Sequence, residues 1–178
     1  MALKFQSLNN AGLSAEMLSK VKARSLSTKS TFSKKVWFDG QVIKLTALNV
    51  VYKESEMDEY LKNHPNPTDE EIVRNVHLYP VLDTQLQKED GTFADYEPLW
   101  LKTLVSTVED IEGNDLMPDG ELNKLAHQLH EQAISDEQCL KQILEACQNK
   151  TVKVVRKKAY KYDFYGKVKT GKLLEFTF

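Results

Sequence analysis

The chain has 178 residues, 41% of them hydrophobic and 28% charged, with Lys+Arg 24 against Asp+Glu 26 and a formal net charge of −2. That length fits one domain, or one domain with a sizeable insertion, and the composition excludes both a wholly disordered chain and a scaffold dependent on disulfides. There is no run of about 18 apolar residues and no charged start leading into an apolar stretch and a cleavage site, so neither a membrane partner nor a secretory leader is expected, and the expected location is a cytoplasm, the cell's own or a host's.

The near-neutral total conceals an uneven distribution. Residues 1–35 carry seven Lys/Arg against Glu16 alone, and residues 150–178 carry nine against Asp163 and Glu175. Residues 36–149 carry eight basic and twenty-three acidic residues. Such ends either meet a polyanion or an acidic neighbour, or fold against the acidic middle.

In chain order, Leu13, Met17, Leu18 and Val21 fall at helical spacing behind a Ser14 cap, and Arg24–Lys35 is a Ser/Thr/Lys-rich arm or linker. Asp39-Gly40, between β-rich runs, predicts a hairpin with Val36 facing Ile43 and Trp37 facing Val42, then a strand to Tyr52. A short acidic helix follows in "ESEMDEYLKN", stopped at Pro65 and Pro67. Thr68 and Glu71 then open a second helix with a capping-box pattern. His77–Tyr96 reads as extended, with Asp90-Gly91 as a turn and Pro80 arguing for an edge or irregular strand.

Three helical patterns come next. Leu101, Leu104, Val105 and Val108 form the first, and Leu122, Leu125, Ala126, Leu129 and Ala133 the second. Leu140, Ile143, Leu144 and Cys147 form the third, behind a Ser135/Gln138 capping box. Cys139 and Cys147, eight apart on that helix, are roughly 12 Å apart at 1.5 Å per residue, too far to bridge, and read as reduced thiols.

Strands, helices, strands is the order of an α+β domain: a small antiparallel sheet or an OB-like β-barrel, with a helical, acidic insertion between early and late strands. The expected organisation is a basic N-terminal helix and arm at 1–35 and a single α+β domain at 36–178. Within that domain the helical insertion spans about 95–149 and a basic C-terminal hairpin spans 150–178.

Motifs that name a reaction are missing. There is no phosphate loop, no GxGxxG, no GxSxG, no HExxH and no paired CxxC, so a non-enzymatic protein with no cofactor is expected. His127 and His130 share a helix with Glu131 but lack a third well-placed ligand, and Glu109–Glu121 does not match an EF-hand, having Asp115 where the loop needs Gly. No metal site is expected.

The C-terminal stretch carries what chemistry there is. Read as one strand, Thr151–Phe164 puts Val152, Val154, Tyr160, Tyr162 and Phe164 on one face and Lys153, Lys157 and Lys161 on the other. Arg156 and Lys158 interrupt the apolar face, which a bulge or a switch between sheets would accommodate. A turn at Lys169–Lys172 then leads into "LLEFTF", where Leu174, Phe176 and Phe178 alternate. Alternating apolar positions are most often core, which is the expectation for Val152, Val154 and Phe164; Tyr160 and Tyr162, with hydroxyls that seek water or a partner, suit either role.

"ILEACQNKTVKVVRKKAYKYDFYGK" resembles the end of a helix running into the last hairpin of an OB-type single-stranded DNA-binding protein, of the small divergent kind found in bacteriophages. The likeness covers about thirty residues. It implies a single-stranded nucleic acid partner. Cations would track phosphates through Lys153, Arg156, Lys157, Lys158, Lys161, Lys167 and Lys169, bases would stack on Tyr160 and Tyr162, and Trp37 would extend the surface. The alternative is a structural or assembly protein, a virion or accessory component, whose basic ends dock on acidic surfaces of neighbouring copies, with a Phe-terminated strand completing a neighbour's sheet.

Overall fold

The computed structural model describes residues 13–18 and 37–178. The expected arm at Arg24–Lys35, and Val21 and Val36 with it, lie outside the described residues. Near the start, a helical turn at 15–18 begins where Ser14 Oγ accepts the Met17 N–H at 3.2 Å. Both the N–H and the hydroxyl of Ser14 also donate to Glu137 Oε1, which ties this turn to a helix far along the chain.

Five antiparallel strands build the main sheet, in the order β3-β2-β1-β6-β9: β1 Val42–Tyr52, β2 Leu78–Gln87, β3 Phe93–Asp95, β6 Val152–Val155 and β9 Glu175–Thr177. The fold is therefore α+β, and the described strands form an open sheet rather than a closed barrel. A one-residue irregularity lets the long strand β1 keep one apolar face. Ile43 and Leu45 are at odd positions, Leu48 and Val50 at even ones, and the register shift between Leu45 and Ala47 absorbs the extra residue. Without that bulge, a period of two would turn Leu48 and Val50 to the opposite face.

Helices cover this apolar face in two groups. Between β1 and β2 come α1 (Glu54–Asn63) and α2 (Asp69–Asn75), whose Met57, Ile72 and Val73 pack with Val50, Leu78 and Met17. Thr68 caps α2, its Oγ1 accepting the Glu71 N–H at 3.2 Å. After β3 come α3 (Leu101–Val105), α4 (Glu121–Glu131) and α5 (Asp136–Ala146). They bury Leu104, Leu122, Ala126, Leu140 and Ile143 against Ile43, Leu82, Val152, Val154 and Phe176. Ser135 caps α5 through the Gln138 N–H.

Several expectations change in the three-dimensional setting. The first of the three late helices stops at Val105, and Val108 instead lies in β4 (Val108–Glu109), paired with β5 (Asp115–Leu116), because Ser106 and Thr107 break the helix. Ala133 leaves the helical face, with φ 57 just beyond α4. The Asp39-Gly40 turn is present with Gly40 at φ 89, but Val42 lies opposite Lys153 of β6 and not Trp37, and Gly40 and Val154 are joined by a backbone bond of 2.9 Å. Pro80 behaves as an edge residue inside a central strand, since β3 reaches only Gln85–Gln87 and leaves β1 as the paired neighbour there.

The end of the chain is not one strand. β6 belongs to the main sheet, while β7 (Ala159–Phe164) and β8 (Lys167–Lys172) form a separate two-stranded sheet inserted between β6 and β9. Lys169–Lys172 is part of β8, and the turn falls earlier, at Tyr165-Gly166.

Candidate nucleic-acid interface

β6 and β9 are paired neighbours, so a short turn would have sufficed to join them. Instead residues 156–174 leave the sheet and return, forming the separate β7–β8 hairpin between them. The break falls at residues 156–158, where the Leu173 N–H donates to the Lys158 carbonyl at 2.8 Å. Arg156 fastens this joint. Its backbone N–H donates to Asp39 Oδ1, and its guanidinium donates to the Trp37 carbonyl at 3.0 Å and the Lys172 carbonyl at 3.2 Å. Further out, the Ile111 N–H from the β4–β5 loop donates to the Lys161 carbonyl, and Lys158 pairs with Asp119 at 3.4 Å.

Register decides what the hairpin displays. Tyr160 lies opposite Gly171, Tyr162 opposite Lys169 and Phe164 opposite Lys167, so these six share one face. Ala159, Lys161, Asp163, Val168, Thr170 and Lys172 share the other. On the first face the Tyr160 ring lies across Gly171, where an added Cβ would come within 3.0 Å of the ring, so glycine makes room for the tyrosine to lie flat. Tyr160 and Tyr162 have ring centroids 5.7 Å apart, and the Lys169 ammonium sits 4.4 Å from the Phe164 centroid. At the tip, the rings of Phe164 and Tyr165 meet edge to face at 4.7 Å.

Phe164 is 47% exposed, Val168 59% and Tyr165 93%, so the outer hairpin presents apolar rings to water instead of burying them. Phe164, expected in the core, is exposed instead, on a hairpin outside the main sheet. Val152 and Val154, expected there as well, are fully buried. Tyr160 and Tyr162 are half-buried, their rings in contact with each other and that of Tyr160 lying on Gly171 of the opposite strand.

The other sequence-derived candidates divide. Lys157, Lys161, Lys167 and Lys169 are exposed on the hairpin or its base, and Lys172, not singled out from sequence, joins them. These lysines form no ion pair among the described residues, whereas Lys158 has Asp119. Arg156 is committed to three backbone and carboxylate partners and acts as a fastener. Lys153 is exposed on β6, away from the hairpin. Trp37 turns inward, edge to face with Tyr96 at 5.4 Å and Phe176 at 5.6 Å, because the Asp39-Gly40 turn folds back onto β6. It belongs to the core margin and not to the ring ladder.

Phe176 is fully buried, and the outer edge of β9 is covered. Asn123 Oδ1 accepts the Phe176 N–H at 2.7 Å while Asn123 Nδ2 donates to the Leu104 carbonyl, and Gly120 packs on the Phe176 backbone where no Cβ would fit. The edge imagined as completing a neighbour's sheet is occupied by this chain's own helix α4.

Among the described residues no group of three His, Cys, Asp or Glu could hold a metal ion, and no helix is long and apolar enough to cross a membrane. Cys139 and Cys147 are free and buried; burial raises both thiols, that of Cys147 to about 11. Compared with known proteins, the chain matches no family model, no curated protein and no solved structure.

Proposed function

We propose that the protein is a non-enzymatic binder of single-stranded nucleic acid, single-stranded DNA in the first instance, held on the β7–β8 hairpin. The observation that carries this reading is the ladder Tyr160, Tyr162, Phe164 on one face of a separate two-stranded ribbon, flanked by lysines that form no ion pair among the described residues. Base stacking on such rings contributes about 1–3 kcal/mol per base and tolerates any sequence, since every base has a π-face. Lys167 and Lys169 on the ladder face and Lys157 at its base supply cations that follow the phosphates, and Lys161 and Lys172, on the other face of a ribbon only two strands wide, would reach phosphates around its edges.

The likeness of this segment to the last hairpin of OB-type single-strand binders supports the same partner. The strand would lie along an extended ribbon and not in the groove of a closed barrel. Trp37, Lys153, Arg156 and Lys158 drop out of the contact set, and Phe164 and Lys172 enter it.

The test is fluorescence anisotropy with a labelled oligo-dT of about 30 nucleotides at about 50 mM and about 200 mM salt. Four or five phosphate contacts on a single strand predict an affinity loss of roughly 50- to 130-fold over that range. Micromolar or tighter binding with that slope supports the reading. No binding at either salt overturns it and leaves the basic ends as docking surfaces for acidic faces of neighbouring copies.

A further inference from the structure

We infer that Tyr165, at the tip of the β7–β8 hairpin, stacks on the exposed last base pair where a single strand enters a duplex, so that the preferred ligand is a single-strand/duplex junction; this rests on the single-strand reading above. The first observation is conformational. Tyr165 and Gly166 form a two-residue turn with φ 50 and φ 80, both positive, the signature of a type I′ turn. Asn-Gly is the favoured pair in such a turn, because a left-handed backbone brings a Cβ too close to its own carbonyl and short polar side chains tolerate this best. A tyrosine here works against local folding.

The second observation is exposure. Tyr165 is 93% exposed, the most exposed of the large apolar side chains among the described residues, and its described ring contact is the edge-to-face meeting with Phe164. Backbone preference and water therefore both disfavour the residue that stands there. Folding the hairpin does not need that ring.

The third observation is direction. Tyr160, Tyr162 and Phe164 lead along β7 to the tip, where Tyr165 meets Phe164 edge to face and continues the run of rings into the turn at the ribbon's end. A single strand stacked along the ladder and continuing into a duplex would bring the last base pair to that end. A terminal base pair offers an open π-face, and stacking there relieves exposure on both partners. Lys167 and Lys169, on the same face just beyond the turn, are placed for the duplex backbones. No bond is made or broken and no nucleotide is hydrolysed, so the role is recognition of the junction.

The experiment compares three labelled probes by anisotropy: oligo-dT, the same oligo-dT as a tail on a closed hairpin duplex, and that duplex alone. The tailed duplex is expected to bind about tenfold more tightly than the tail. Tyr165→Asn, which installs Asn-Gly and so favours the turn, is expected to erase that difference with oligo-dT affinity held within about twofold. Tyr165→Trp should keep the preference. Because Tyr165→Asn leaves the charge unchanged, extra phosphates on the duplex cannot mimic the result. Equal binding of tail and tailed duplex by the unaltered protein, or a preference that survives Tyr165→Asn, overturns the inference while leaving the single-strand reading standing. Failure of oligo-dT itself to bind overturns that reading and this inference with it.

Discussion

The two halves of the C-terminal ribbon have much the same composition and opposite fates. In the inner half, Val152, Val154 and Phe176 are fully buried, because helices α4 and α5 lie behind that face of the sheet. In the outer half, Phe164, Tyr165 and Val168 stand in water: β7–β8 is a sheet apart from the main one, and the β4–β5 loop meets it at Lys161 without covering these side chains. Alternation of apolar and basic residues determines which side chains share a face. Whether that face becomes core or contact surface depends on what else the chain supplies to cover it.

The sharpest way to test this contrast is to remove one ring from each half. Phe176→Ala should cost about 3–5 kcal/mol, since the site is fully enclosed, whereas Phe164→Ala should stay within about 0.5 kcal/mol. Urea denaturation midpoints check both. Comparable losses at the two positions would mean the outer hairpin has a hidden packing partner.

Next in size is the reverse contrast, in binding. Replacing Tyr160 and Tyr162 together with Ala should weaken oligo-dT binding by roughly 30-fold or more and leave the melting temperature nearly unchanged. A cooperative loss of structure in that double variant would instead place both rings in the core.

A smaller effect is expected at the joint between the halves. Arg156→Met removes two guanidinium bonds to backbone carbonyls and should cost about 1–2 kcal/mol. Its local signature is faster amide exchange in β7–β8 than in β6 or β9. Uniform acceleration in all four strands would show that inner and outer halves unfold as one.

The smallest effect concerns the closed side. Burial raises the Cys147 thiol to about 11 from its ordinary 9.0, so the folded state holds the proton more tightly than the unfolded one. The associated stability is fully present below pH 9 and is lost as pH rises toward 11. Cys147→Ala should flatten that part of the stability profile. At pH 8, alkylation by iodoacetamide should be slow in the native protein and fast in urea.

Much of the architecture was legible in local signals. Ser14, Thr68 and Ser135 cap helices as their spacing implies, and Leu122, Ala126, Leu140 and Ile143 lie where helical periodicity puts them. Legibility failed where long-range pairing decides. Nothing local distinguishes Phe164 from Val154, since both occupy alternating positions in a lysine-rich run. The residues missed at the tip did leave a signal, because Tyr165-Gly166 between two lysine-flanked β-runs is itself a two-residue turn. Lys169–Lys172, with its Thr-Gly, competed for that role, and the partner of Gly171 that settles the matter is Tyr160, eleven positions earlier.

The most direct measurement is to excise the outer half. Residues 159–172 are replaced by an Asn-Gly turn, so that β6 and β9 become an ordinary hairpin, and melting and oligo-dT anisotropy are recorded on the same preparation. A melting temperature within a few degrees of the full chain and loss of oligo-dT binding at about 50 mM salt are expected. Retention of full affinity by the folded, excised protein would contradict this.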